Sequence, residues 1–173
     1  KIILESLLKF GRPGQMMKEK SSINDVIRET LTLVDYKLTP QNISLKLDLD
    51  ENIPLTYFDK NQISQVSLNI LNNAIYAIEK NAGDELAIRT YADKSMIVVT
   101  IADSGPGIAP RDLERIFDPF FSTKPVGKGT GLGLSISYSI IKAHNGRIYA
   151  ANRREGGTIF TIELPILTSQ RNF

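Results

Sequence analysis

The sequence predicts a two-layer α/β sandwich, with a mixed sheet of about five strands and three main helices on one face. Three observations predict it. Residues 43–50 alternate apolar and polar side chains without a fault, which marks a strand with one buried face. Residues 59–80 place Ile63, Val66, Ile70, Leu71, Ala74 and Ile78 at helical spacing, facing a core. Residues 85–92 with 96–102, and 146–152 with 158–164, read as strand pairs joined by short polar turns.

The 173 residues fit one domain, and an apolar fraction of 42% is ordinary for a chain with a single core. A net charge of +2 gives no nucleic-acid surface and no polybasic membrane anchor, so neither partner is expected. Cysteine is absent, which excludes disulfides, thiolate metal sites and a thiol nucleophile. No apolar run reaches bilayer length and no signal peptide is visible, so a cytoplasmic location is expected. The chain opens mid-pattern on Lys1-Ile2-Ile3-Leu4, which reads as a fragment of a longer protein whose membrane attachment stays open.

Taken in order, residues 2–10 read as the tail of an amphipathic helix, stopped by Gly11-Arg12-Pro13-Gly14. Such a stub is marginal alone, so its start and partner are expected upstream. Ser22-Ile23-Asn24-Asp25 caps the next helix, residues 26–38, with Val26, Ile27, Leu31, Val34 and Leu38 on one side.

The helix over 59–80 turns a second face outward, holding Gln62, Gln65, Asn69, Asn72, Asn73 and Tyr76. Asn costs about 0.6 kcal/mol relative to Ala in a helix. Asn69 and Asn73 stand at i and i+4, aiming two carboxamides at one point. This face is either solvated or turned to a ligand; solvated faces normally use Glu, Lys and Gln.

The strand over 96–102 runs into Asp103-Ser104-Gly105-Pro106-Gly107-Ile108. This is a plain turn, or an ionised carboxylate beside glycines that admit a flat ring. A carboxylate only accepts hydrogen bonds, so it suits the exocyclic amine of adenine and rejects the guanine carbonyl oxygen. Residues 110–116 read as a short helix. Phe117, Phe120 and Phe121 then crowd a Pro-bounded loop, which folds its aromatics beneath itself or covers a ligand.

Gly127-Lys128-Gly129-Thr130-Gly131-Leu132-Gly133-Leu134 follows, opening a helix over 135–143. Glycines at alternate positions leave N–H groups uncovered, and the helix start adds the positive end of its dipole, a combination that suits phosphate. The alternative is a flexible hinge. The Walker A loop fails, because Lys128 precedes Gly129 rather than Ser or Thr, and the dinucleotide fingerprint fails on glycine spacing and the missing strand before it.

In sequence, these pieces resemble the catalytic, ATP-binding domain of sensor histidine kinases, within the GHKL (Bergerat-fold) ATPase superfamily. Gln65-Val66-Ser67-Leu68-Asn69-Ile70-Leu71-Asn72-Asn73-Ala74 resembles its N box, and Asp103-Ser104-Gly105-Pro106-Gly107-Ile108 its first glycine box. Phe117-Asp118-Pro119-Phe120-Phe121-Ser122-Thr123-Lys124 resembles the F box, and residues 127–134 the second glycine box. Ala143-His144-Asn145-Gly146 and Gly156-Gly157-Thr158 also fit.

The resemblance implies ATP and Mg²⁺ as cofactors. Asn73 would coordinate Mg²⁺, with Asn69, Lys124 and Thr130 taking catalytic parts at the phosphates and Tyr76 touching ribose or phosphate. Asp103 would take the adenine amine, with Gly105 and Gly107 beside the ring and Thr158 supporting through water. Lys124, Lys128, Gly129, Thr130, Gly131 and Leu132 would form the lid and the phosphate-binding helix start. Phe117 and Phe120 would anchor the lid.

His144, the single histidine, is followed by Asn145 rather than an acid, so it resembles the structural helix stop of these kinases and not their phosphoacceptor. The acceptor is expected upstream of Lys1. On this reading residues 1–14 end the second dimerisation helix and linker, 15–167 form the catalytic domain, and 168–173 a tail. The implied partners are the protein's own dimerisation and phosphoacceptor domain and a response-regulator receiver. Water-directed relatives of the gyrase kind carry a general-base Glu where this chain has Asn69, which cannot take a proton.

Overall fold

The computed structural model describes residues 16–81, 84–125 and 129–167. The helix tail expected over 2–10, its stop at 11–14, the tail from 168 and Lys128 lie outside the described residues.

Ser22 caps helix α1 (Ile23–Leu38), its hydroxyl accepting from the Asp25 N–H at 3.2 Å. Val26, Ile27, Leu31, Val34 and Leu38 are all buried, as the periodicity predicts. Strand β2 (Ser44–Leu49) follows, and Asp59 opens helix α2 (Lys60–Asn81) by accepting from the Gln62 N–H at 3.1 Å. On α2 the predicted apolar face is fully enclosed, with Ile63, Val66, Ile70 and Leu71 at 0–1% exposure. Each such side chain contributes roughly 2 kcal/mol of burial.

Strands β4 (Glu85–Asp93) and β5 (Met96–Asp103) pair antiparallel, with Lys94 in the left-handed region (φ 54°) at their turn. Helix α3 (Gly133–Ala143) and strands β6 (Arg147–Asn152) and β7 (Thr158–Pro165) complete the fold. The sheet order is β2-β4-β5-β7-β6, parallel between β2 and β4 and antiparallel elsewhere, so the predicted mixed five-stranded sheet is present. α2 lies between α1 and α3 on the face lined by Ile88, Ile101, Val99, Phe160 and Ile162.

Three expectations change. A small two-stranded antiparallel sheet of β1 (Glu19–Ser21) with β3 (Thr56–Phe58) is present where the sequence predicts no strand. Residues 110–116 are not a helix. Their N–H groups bond three residues back at every third position (Asp112 to Ala109, Arg115 to Asp112, Asp118 to Arg115), forming successive turns. Pro119 disfavours helical backbone at Asp118 and so stops any continuation. The apolar face of β2 is only partly covered, because β2 is the sheet edge: Leu45 and Leu47 are 36% and 48% exposed, while Leu49 packs on the core.

His144 is a structural joint, as its place at the end of α3 implies. Its ring is buried, Nδ1 lies 2.8 Å from the Ile140 carbonyl, and Nε2 accepts from the Asp59 N–H at 3.0 Å. These partners require the neutral ring with its proton on Nδ1. Burial holds its pKa below the ordinary value; Lys18 acts in the same direction, and the Ile140 bond and Asp59 oppose it. The unfolded chain therefore protonates first, so the stabilisation is complete above about pH 6.5 and is lost as pH falls below it. Urea unfolding from pH 7.5 to 5.5 is expected to show this loss, approaching about 1.4 kcal/mol per pH unit at most. His144→Gln should be flatter across that window, and equal slopes would remove the assignment.

Candidate functional site

A cavity of about 710 Å³ opens between α2, the C-terminal end of β5 and the start of α3. Its walls hold most of the residues the sequence singled out, including Asn69, Asn73, Tyr76, Asp103, Lys124 and Thr130.

Asp103 ends β5, and the sheet register carries it to the helix-covered face beside Leu86. The residue is 2% exposed. Its Oδ1 accepts from the Gly105 N–H at 2.9 Å and the Thr158 N–H at 3.3 Å, while its main-chain carbonyl accepts from Arg153 Nη1 at 3.0 Å. No protein donor among the described residues reaches Oδ2. Burial raises the Asp103 pKa, opposed by the Gly105 and Thr158 bonds and by the Arg153 charge. Thr158 thus meets Asp103 directly through its backbone. Gly105 is a close-approach position, since a Cβ there would lie 2.8 Å from Ala77 Cβ and 2.9 Å from Asp103 Oδ1.

On α2, Asn69 and Asn73 both line the cavity but serve different partners. Asn69 Nδ2 donates to the Gly133 carbonyl at 2.9 Å and to Ser137 Oγ at 3.1 Å, tying α2 to the first turn of α3. Asn73 Oδ1 accepts from Lys124 Nζ at 2.7 Å. The i, i+4 spacing therefore brings both to one wall without converging them on one group. Lys124 Nζ also lies 4.5 Å from the centre of the Tyr76 ring, which makes Tyr76 a cradle for that ammonium. Burial lowers the Lys124 pKa; Lys37 adds to this and Glu79 opposes it. Lys37 is a residue that sequence reasoning missed. It reaches from α1 to Asn72 Oδ1 at 2.6 Å, and nothing in a helix-terminal lysine signals such a contact.

The loop between Phe117 and α3 closes one side. The Phe117 ring lies against Tyr138 of α3 in a tilted arrangement, centres 5.7 Å apart, and Phe121 packs on the core. Phe120, expected to help anchor this segment, holds it by the backbone rather than by the ring. The ring is 64% exposed, Phe120 has positive φ (66°), and it holds the loop by its N–H, which donates to the Gly131 carbonyl at 2.9 Å. At Thr130, Oγ1 accepts from the Leu132 N–H at 3.3 Å, and Leu132 itself is buried at the start of α3. Gly129 packs against Ser122 and Lys124, so a Cβ there would meet Ser122 Oγ at 2.9 Å.

Residues 58–168 match the family described as histidine kinase-, DNA gyrase B-, and HSP90-like ATPase. The chain belongs to this ATPase family. It is 34% identical to Sporulation kinase E of Bacillus subtilis over 95% of this chain and 22% of that protein. It is 35% identical to the sensor histidine kinase ZraS of Salmonella typhimurium over 98% of this chain and 36% of that protein. The chain thus spans 22% to 36% of the length of these curated relatives. In structure it is similar to histidine kinase ThkA, solved in complex with the response regulator protein TrrA, with a TM-score of 0.82 and 30% identity over 98% of this chain and 48% of that one. The sandwich predicted from sequence is the fold of this neighbour. Among the described residues no helix is long and apolar enough to cross a membrane.

Proposed function

We propose that this chain is the ATP-binding catalytic part of a two-component sensor histidine kinase. It would hold Mg-ATP so that the γ-phosphoryl group passes to a histidine outside the chain, and from there to a response-regulator aspartate. The observation that carries the reading is Asp103. Two backbone N–H groups hold one of its oxygens, and no described protein donor reaches the other, which is left for the adenine amine at the cavity wall. The names of the relatives, and the regulator bound to ThkA, support the kinase and its receiver partner.

The residues fit a magnesium ion. Asn73 Oδ1 is a hard oxygen that already faces a cation, the Lys124 ammonium, at 2.7 Å. Mg²⁺ commonly takes one or two protein ligands and completes its shell with phosphate and water. Asn73 would hold it, and the ion would neutralise phosphate charge. Lys124, Thr130 and the N–H groups of Gly129 and Gly131 would face the phosphates, and Leu132, whose N–H donates to Thr130 Oγ1, would hold that side chain in place. Tyr76 would serve them by seating Lys124. Transfer breaks the bond from the γ-phosphorus to ADP and forms one to an imidazole nitrogen. This chain would position the nucleotide, and its single histidine, His144, is buried with both ring nitrogens engaged. Asn69 stands where a water-activating Glu would be needed for hydrolysis and can donate and accept hydrogen bonds but not take a proton.

Calorimetric titration with Mg-ADP and Mg-GDP tests the adenine site, and ADP is expected to bind at least tenfold more tightly. Labelled ATP with a dimerisation fragment containing its histidine, supplied in trans, then tests transfer. Equal binding of the two nucleotides would sink the reading, and release of free phosphate without labelled protein would favour a hydrolase instead.

A further inference from the structure

The loop that leaves Asp103 is supported from outside the cavity by two residues at the end of β6 and the turn after it. Arg153 holds its near end, donating to the Asp103 carbonyl at 3.0 Å while Glu85 lies 3.5 Å from the same guanidinium. Asn152 holds its far end. Its Oδ1 accepts from the Ile108 N–H at 2.8 Å and its Nδ2 donates to the Ile108 carbonyl at 2.7 Å. A carboxamide presents one acceptor and one donor as a peptide group does, so this pair works like an added rung of sheet beyond the last residue of β6. The main chain of Ile108 has no other partner among the described residues. The fit is close: a Cβ on Gly107, which has φ +79°, would lie 2.9 Å from Asn152 Oδ1.

The placement gives this clamp a purpose. Asp103, Thr158 and Asn152 occupy one row across the sheet: Thr158 pairs with Asn152, and the register of β5 with β7, which runs to Ala102 opposite Ile159, puts Asp103 opposite Thr158. Asp103, Gly107 and Ile108 line the cavity, whereas Asn152 stands behind the loop and outside it. The distance between the carboxylate and the Gly107-Ile108 wall is the width available to a flat ring, and Asn152 sets the position of that wall. We propose that Asn152 is a positioning residue for base recognition, fixing the slot into which adenine enters without touching the nucleotide. This rests on the reading of Asp103 as the adenine acceptor.

The test is calorimetric titration of wild type, Asn152→Ala and Asn152→Asp with Mg-ADP and Mg-GDP, alongside thermal melts. Asn152 is exposed and β6 pairs with β7 through the backbone, so both variants should melt close to wild type. Losing two hydrogen bonds that order the loop is expected to weaken Mg-ADP about tenfold in Asn152→Ala. Asn152→Asp should fall at least as far, because a carboxylate oxygen would then face the Ile108 carbonyl. Mg-GDP, held through its phosphates, should change by less than about twofold, so the ADP-to-GDP ratio falls with the base contact alone. Unchanged ADP binding in both variants would overturn the proposal. So would an equal loss of both nucleotides, which would mark a general structural role. A wild type that fails to prefer ADP would instead bring down the adenine reading itself, and this proposal with it.

Discussion

Asp103→Asn is expected to lower Mg-ADP affinity about 100-fold while leaving the unbound fold at least as stable as wild type. The two halves of that result come from one geometry. With Oδ1 already accepting from the Gly105 and Thr158 N–H groups, an asparagine at this position would keep its carbonyl oxygen there. Its NH₂ would then face the cavity, donor against the donor amine of adenine. Loss of a hydrogen bond to a charged acceptor is worth about 1.5–3 kcal/mol, and 100-fold corresponds to about 2.7 kcal/mol. Stability moves the other way because burial raises the Asp103 pKa. A buried acid with a raised pKa holds its proton longer in the folded chain than in the unfolded one. Its ionised form therefore costs stability, and that cost disappears as pH falls through the folded pKa toward the ordinary carboxylate value. The uncharged amide carries no such cost. The same sign requires wild-type ADP affinity to decline on acidification at a higher pH than an ordinary aspartate would give. Titration calorimetry and urea unfolding on the same samples check both halves. A variant that binds ADP as wild type does would remove Asp103 from the base site.

What could be read in advance follows the length of each signal. The twenty-odd residues of α2 repeat their apolar spacing often enough to settle both the helix and its buried face, and the second half of the polar face, Asn69, Asn72, Asn73 and Tyr76, lines the cavity. Asp103 was legible because an acid at a strand end before Gly-x-Gly is a local pattern. The β1–β3 pair was not, since strands of three residues cannot display alternation and their partners lie far apart, Glu19 against Phe58. Residues 110–116 carry helical spacing, yet their backbone bonds close as turns. Phe120 shows the limit of composition. An aromatic in a Pro-bounded loop points to an anchor without saying which of its groups does the holding, and at Phe120 it is the peptide N–H while the side chain is exposed. Asn152 and Lys37 were silent for a related reason. Their partners are 44 and 35 residues away in sequence, and an Asn before a turn or a Lys at a helix end already has a local explanation.

Gly157→Ala is expected to destabilise the fold by about 3 kcal/mol and to remove ADP binding with it. Gly156→Ala, one residue earlier, is expected to cost only about 1 kcal/mol. The two glycines share the same positive φ, +93°, so an alanine is strained at either position. Their surroundings differ. At Gly156 a Cβ meets nothing within 4 Å, whereas at Gly157 it would lie 1.9 Å from the Asp103 carbonyl oxygen and 3.0 Å from Ser104 Cα. Neither atom belongs to a flexible side chain, so relief requires β7 or the loop after β5 to move. Either movement pulls the Thr158 N–H away from Asp103 Oδ1, because Thr158 is the next residue. Sheet packing and base recognition are thus joined at a single close approach of two backbones. Urea unfolding of both variants separates strain from collision, since strain alone predicts equal losses. If Gly157→Ala unfolds with the same midpoint as Gly156→Ala and still binds ADP, the loop after β5 is able to yield, and the tight contact does not hold the carboxylate in place.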